Sequence, residues 1–187
     1  MAYVDLQSIN KINLVNTLNK YDVCMTQQFY CVMIPPLIIV PGTIWPLLPP
    51  GIHEATIQEV FASFATNPHR LILFNGLKKG LDHLFSLGCP KAYLDGSYVT
   101  GKPKPNDYEV VWDVSYVDPG RIDPVFIDFT MGTTFQKAKY SGEYFPSIST
   151  ERSSGKTFIE FFQIDKMSGK EKGILRIVNY LKGGGTI

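Results

Sequence analysis

Four residues hold the most chemically suggestive spacing in this sequence: Gly96 and Ser97, then, after nine intervening residues, Asp107 and Glu109, in the run LDGSYVTGKPKPNDYEV at 94–110. In a β-strand, residues two apart point to the same face, so Asp107 and Glu109 would stand side by side. Two carboxylates so placed repel each other and resist burial. A bound Mg2+ relieves that cost, since it prefers oxygen ligands and usually takes one or two carboxylates together with substrate phosphates. Glycine lets a phosphate come close to the backbone, and a following serine offers a hydroxyl and an N–H. The turn through Lys102, Pro103, Lys104 and Pro105 would bring this corner against the acidic strand. A phosphate site beside a metal site is what phosphoryl or nucleotidyl transfer requires. The plainer reading is that Asp107, next to Asn106, serves the turn at a solvated strand edge, and that Gly-Ser is only a turn.

The elements that must position these residues are readable around them. In IHEATIQEVFASF the residues Ile57, Val60, Phe61 and Phe64 recur at helical spacing, with Glu54 placed early where a helix dipole favours an anion. A second helix is expected over about 68–87, with the stripe Leu71, Phe74, Leu77, Leu81, Leu84 and Phe85 and a stop at Gly88 and Pro90. Lys78, Lys79 and Asp82 fall off that stripe and read as a solvated face. KAYLDGSYV reads as a strand ending at Gly-Ser, GKPKPN as a loop, and DYEVVWDVSYV as a second strand. DPGRIDPVFIDF reads as turns with a short helix, and FQKAKYSGEYFPSISTERSSG as a loop or lid with one helical turn. TFIEFFQID and GILRIVNYL are strand candidates joined by KMSGKEKG as a hairpin. The fold class is therefore mixed α/β, or α+β: a mixed sheet flanked by helices.

Composition narrows the setting. The chain has 187 residues, 44% of them hydrophobic and 19% charged, in the range of an ordinary globular domain. A net charge of +1 advertises no nucleic-acid surface. The three cysteines, Cys24, Cys31 and Cys89, show no paired spacing, which speaks against a zinc site or disulfide framework and for a cytoplasmic protein. The most apolar stretch, 32–48, is interrupted by Pro35, Pro36, Pro41 and Pro46, too densely for a spanning helix, so no membrane association is expected. Residues 1–46 read as an N-terminal extension and Pro-rich strap, 47–180 as the domain and 181–187 as a flexible tail. The Asn- and Gln-rich residues 1–32 carry a weak helical pattern; either they are a loosely packed arm, or Met33 is the native start.

The 94–110 window resembles the signature of nucleotidyltransferases of the DNA polymerase beta superfamily: Gly with Gly or Ser, a gap, then Asp-x-Asp or Asp-x-Glu. LPPGIHEAT, AYLDGSYVTGKPKPNDYEVVWD and FFQIDKMSGKEKGI together resemble an uncharacterised family of small bacterial and mobile-element proteins of that fold, over about 47–177. The resemblance implies a nucleotidyltransferase-like sheet, Mg2+ as cofactor and a nucleoside triphosphate as substrate. It implies that Gly96 and Ser97 contact phosphate and that Asp107 and Glu109 are the first two metal ligands. It also implies a third carboxylate on a later strand, for which Glu160 in TFIEFFQ is preferred to Asp128 in VFIDF. The chain departs from better-studied small members in having Tyr98, Val99, Thr100 and Gly101 where they are Arg-rich, and Glu109 in place of the commoner Asp.

Other residues are weighed beside these. Lys137 and Lys139 could steer a triphosphate, with Tyr140, Tyr144 and Phe145 as stacking surfaces; otherwise they belong to a charged loop with aromatic anchors. Asp95 reads as a turn or supporting residue, and Asp113 shares a face with Asp107 and Glu109 by parity. His53, His69 and His83 have no metal-binding spacing, and Cys89 reads as a small core residue. The leading expectation is transfer of a nucleoside monophosphate from a triphosphate to an acceptor of unknown kind: protein, RNA or small molecule. The alternative is a catalytically inactive module of the same fold, a toxin–antitoxin or phage-defence component that docks a protein through the strap at 34–48 with Trp45. A protein that modifies nucleic-acid ends would need a basic groove.

Overall fold

The computed structural model describes residues 34–181. The expectations for the N-terminal arm, for Cys24 and Cys31 and for most of the tail lie outside the described residues.

The described residues form a five-stranded mixed sheet with four α-helices, an α+β fold. The strands are β1 (Gly51–Glu54), β2 (Lys91–Asp95), β3 (Glu109–Trp112), β4 (Glu143–Pro146) and β5 (Gly173–Val178), ordered β1-β5-β2-β3-β4. β2 is antiparallel to both its neighbours, β5 and β3. β1 runs parallel to β5, and β4 parallel to β3. The helices are α1 (Ile57–Phe64), α2 (Pro68–Ser86), α3 (Thr134–Tyr140) and α4 (Phe158–Phe162).

Local chemistry sets the helix starts. Thr56 and Glu59 close a reciprocal capping box on α1, satisfying two otherwise unpaired N–H groups. Asn67 caps α2 by accepting from the Arg70 N–H, and Pro68 occupies its first turn, where no donor is missed. α1 and α2 cover one face of the sheet, where Leu77, Leu81 and Leu84 pack with Leu94, Val110 and Leu175 in the main core. Gly76 and Gly80 of α2 lie where a side chain would collide with Tyr140 and Tyr144, so these small residues let α3 and β4 close in. The other face holds a small apolar cluster of Tyr93, Val111 and Ile174, covered by Phe158, Ile159 and Phe162 around α4.

Four expectations are corrected. Residues 51–54 are strand β1, and Glu54 pairs with Arg176 across the register of β1 and β5; the helix begins only at Ile57. TFIEFFQ folds as helix α4, because Thr157 and Glu160 form a second capping box and Phe158 and Phe162, four apart, pack against Phe145. No hairpin joins it to β5, whose neighbours are β1 and β2; a single bridge, Ile164 with Glu171, is all that forms there. The segment read as a lid contains α3 and strand β4. β4 is an edge strand, which tolerates Pro146 at its end.

The Pro-rich strap is part of this domain. It turns back through an Ile38–Leu47 bridge, and Leu47 and Leu48 are 2% and 1% exposed. Ile34 and Leu37 pack against the main core as well. Trp45 is 39% exposed, and Ile39 and Ile44 more so. Among the described residues, no helix is long and apolar enough to cross a membrane.

Candidate functional site

Strand pairing assembles the site. Asp95 ends β2 and stands opposite Glu109, the first residue of β3; Glu109 in turn stands opposite Glu143, the first residue of β4. Paired residues on adjacent strands project to the same face. Three carboxylates therefore form a row across three strands, on the face away from α1 and α2. Asp107 lies just before β3 and joins them: it and Glu143 bind the same ammonium, that of Lys137.

Tyr108 holds the pair Asp107 and Glu109 outward. It is fully buried on the opposite face, where its hydroxyl donates to the Tyr140 carbonyl at 2.5 Å and lies 2.9 Å from the Tyr144 hydroxyl. The loop between Gly-Ser and Asp107 is pinned from α2. Arg70, 3% exposed, donates to the carbonyls of Phe64 and Lys102 at 2.6 Å each and to that of Tyr98. Asn67 donates to the Pro103 carbonyl at 2.9 Å and His69 to that of Pro105 at 2.5 Å. Each of the three guanidinium nitrogens meets a carbonyl without a counter-charge, and burial holds the Arg70 pKa below the usual arginine value.

Gly96 forms the corner beside the row. Its φ of 90° is open to glycine and strained for other residues, and a Cβ there would lie inside the Glu109 carboxylate. It precedes a single turn of 3-10 helix, Ser97–Val99, that no side chain caps. Gly96 and Glu109 are thus matched: the glycine leaves the space that the carboxylate fills.

The charges are unevenly satisfied. Asp95 and Lys172 make a buried ion pair, with Nζ 2.5 and 2.6 Å from the two carboxylate oxygens. Burial raises the Asp95 pKa, and Lys172 pulls it back in part. Lys137 Nζ is 2.7 Å from both Asp107 Oδ2 and Glu143 Oε1. Burial works against the Lys137 charge, but the two carboxylates outweigh it and hold its pKa above the usual lysine value. Thr133 Oγ1 adds a hydrogen bond of 2.8 Å to Glu143 Oε1. Glu109 has no such partner. It is in part exposed as a residue, yet its Oε2 is sealed from solvent and takes no hydrogen bond. Burial first, then the charges of Asp95, Asp107 and Glu143, push its pKa up to about 8. A sealed, unsatisfied carboxylate oxygen is costly, and such groups concentrate where a ligand completes them.

The structure brings together five of the six expected site residues: Gly96, Ser97, Asp107, Glu109 and Lys137. Glu160 is elsewhere. Its carboxylate accepts from the Thr157 N–H and hydroxyl at 3.0 and 2.8 Å as part of the α4 cap, and it is exposed on a helix instead of a strand. Asp128 closes a turn with Thr130. The carboxylate on a later strand, beside Glu109, is Glu143. It escaped notice because EYFP sits in a stretch rich in turn residues. Asp113 lies past the far end of β3 and pairs with Lys91 at 3.5 Å. Lys139 pairs with Asp123, and Tyr140 and Tyr144 are buried in the core, so neither ring is a stacking surface. His53 and His83 bond the Pro49 carbonyl and the Tyr140 hydroxyl.

Asp107, Glu109 and Glu143 are the oxygen donors a hard divalent cation takes. Among the described residues, no three acidic, histidine or cysteine side chains stand as a ready-made cage for one. Lys137 bridges Asp107 and Glu143.

Residues 43–178 match the family of unknown function DUF6932. The chain belongs to that family. The matched span runs from the turn of the strap to the end of β5 and contains all the strands and helices of the described residues and the whole acidic corner. No curated protein and no solved structure matches the chain.

Proposed function

We propose that this DUF6932 protein is a Mg2+-dependent nucleotidyltransferase, with Asp107, Glu109 and Glu143 as the carboxylates of its active site. The observation that carries the reading is the sealed, unpartnered Oε2 of Glu109 in a carboxylate row beside the Gly96–Ser97 corner. The order Gly-Ser, Asp-x-Glu and a third carboxylate on the next strand supports it, in agreement with the superfamily resemblance of the 94–110 window.

The reaction is acceptor–OH plus nucleoside triphosphate to acceptor–O–nucleoside monophosphate plus pyrophosphate. The acceptor oxygen bonds to the α-phosphorus, the bond from that phosphorus to the bridging oxygen breaks, and pyrophosphate leaves with the electron pair. Asp107, Glu109 and Glu143 would hold Mg2+, which would neutralise charge on the phosphates. Glu143, at the sheet edge, takes the acceptor proton. Gly96 leaves the backbone open to phosphate, and Ser97 contributes its N–H and hydroxyl. The buried Lys172–Asp95 ion pair, neutral overall, anchors the end of β2 under the corner. We also propose a cytoplasmic location, which the unpaired spacing of the cysteines supports.

A second reading rests on Lys137. An ammonium that already neutralises Asp107 and Glu143 is also what a fold that has lost catalysis would keep. In that case the protein is a binding module, such as a toxin–antitoxin or phage-defence component, with a protein partner on the exposed strap residues Ile39, Ile44 and Trp45. Calorimetric titration of each nucleoside triphosphate, with and without Mg2+, separates the two. The enzyme reading expects binding that needs the metal and is lost in an Asp107→Asn, Glu109→Gln double variant. No binding by the folded wild type would favour the module.

A further inference from the structure

We propose that the cavity between Arg70 of α2, the loop at 100–103 and the strap binds a phosphate-type oxyanion, with Arg70 as its buried cation and Lys102, Ser63 and Thr66 as its more open donors. The site shares no residue with the acidic corner, and the inference does not depend on the function proposed there. The cavity has a volume of about 140 Å3, and none of the residues lining it is acidic. At about 30 Å3 per water molecule it has room for roughly four, the space of a small oxyanion.

Arg70 is 3% exposed and, among the described residues, pairs with no carboxylate. It meets the carbonyls of Phe64, Tyr98 and Lys102 and the ring faces of Tyr98 and Phe64, 4.8 and 5.7 Å from its guanidinium carbon. These partners offer partial charges only, and burial still works against the full charge of the guanidinium. Each terminal nitrogen of a guanidinium carries two N–H groups. In Arg70 each gives one to a carbonyl and has no second acceptor among the described residues. A buried cation with donors to spare, lining a cavity free of acids, is half of an ion pair that an incoming anion completes.

The other lining groups agree. Among the described residues Lys102 has no ion pair, and the exposed Ser63 and Thr66 hydroxyls make no hydrogen bond. Thr100, by contrast, engages its hydroxyl with the Ser97 carbonyl and the Lys102 N–H, which shapes the wall of the cavity. No acidic residue in the first turn of α2 offsets the positive end of its dipole. A guanidinium, an ammonium and two hydroxyls around one space suit a tetrahedral group with four oxygens better than a flat carboxylate.

Calorimetric titration of inorganic phosphate into the full chain, at constant ionic strength with chloride as reference, tests this. Wild type should bind phosphate saturably, and Lys102→Met at least about fivefold more weakly. Thr66→Glu, which brings its own carboxylate to the cavity, should not bind measurably. Lys104→Met, altered at an exposed lysine outside the cavity, should match wild type, as should the Asp107→Asn, Glu109→Gln double variant. Loss of binding in that double variant would move the anion to the acidic corner. Equal weakening by Lys104→Met would reduce it to surface charge. Either result overturns the site, as does absence of saturable binding by folded wild type. Should Thr66→Glu be unfolded, Ser63→Asp takes its place. Adenosine monophosphate, titrated in the same way, identifies the source of the anion. Binding more than about tenfold tighter than phosphate, and weakened by Lys102→Met, assigns the site to a phosphate carried on a larger ligand; equal or weaker binding assigns it to the free anion.

Discussion

Glu109 concentrates the tension of the site. Its carboxyl is held among three other carboxylates, with one oxygen sealed and unbonded, and burial with that surrounding charge moves its pKa up to about 8. A raised carboxyl pKa means that the folded protein keeps a proton the unfolded chain releases. The associated stability is complete below the ordinary value near 4.5 and is lost as pH rises through about 8. Replacing Glu109 by Gln removes that titration. The variant should therefore gain on wild type between pH 5 and pH 9 by an amount on the order of a few kcal/mol. Urea denaturation at the two pH values measures it; parallel pH profiles for wild type and Glu109→Gln would mean that the group is not strained as described. Gly96 is bound to the same residue from the other side, since any Cβ there would overlap the Glu109 carboxylate.

At the scale of elements, β4 and α4 exchange the roles that local sequence assigns them. FIEFF has the β-branched and aromatic content of a strand, but Thr157 and Glu160 start a helix, and Phe158 stacks on Phe145 with ring centroids 4.1 Å apart. EYFP, with a glycine before it and a proline at its end, has the look of a loop. It becomes a strand because β3 offers it a parallel partner and the main core accepts Tyr144. Two substitutions at equal charge distinguish the carboxylates these elements carry. Glu143→Gln should abolish Mg2+-dependent nucleotide binding. Glu160→Gln should leave that binding intact and cost no more than about 1 kcal/mol through the weakened cap. Calorimetry and thermal unfolding of the two variants report the outcome, and loss of nucleotide binding in Glu160→Gln would return the third carboxylate to α4. Arg70 belongs to this scale too. One arginine in the first turns of α2 binds three carbonyls and so holds the loop from which Asp107 departs.

At the scale of the whole molecule, the two faces of the sheet are unlike. One face is packed by α1 and α2 over the main core. The other carries a small apolar cluster under α4 and, at one end, the acidic corner. The strap completes the first face. Leu48, 1% exposed, enters the core, whereas Ile39, 86% exposed, does not. Leu48→Ala should cost about 2–5 kcal/mol and Ile39→Ala less than about 0.5 kcal/mol in denaturant unfolding. Equal effects would mean that the strap is not seated as described.

By itself the sequence determined what depends on neighbours in the chain: α2 with its stripe and stops, β2 ending at Gly96, and the common face of Asp107 and Glu109. Period, caps and turn residues are local, and a strand alternates whatever it pairs with. Only the tertiary structure decided which residues from distant segments complete the corner. Glu143 and Lys172 reach Glu109 and Asp95 through strand pairing and a buried ion pair spanning 77 residues, and Arg70 reaches its carbonyls from another element. Those contacts depend on the order in which strands assemble, and no spacing along the chain encodes that order in a form that can be read locally. The same holds for Lys137. Its charge is visible in the sequence, but that it faces Asp107 and Glu143 follows from packing α3 beside β4.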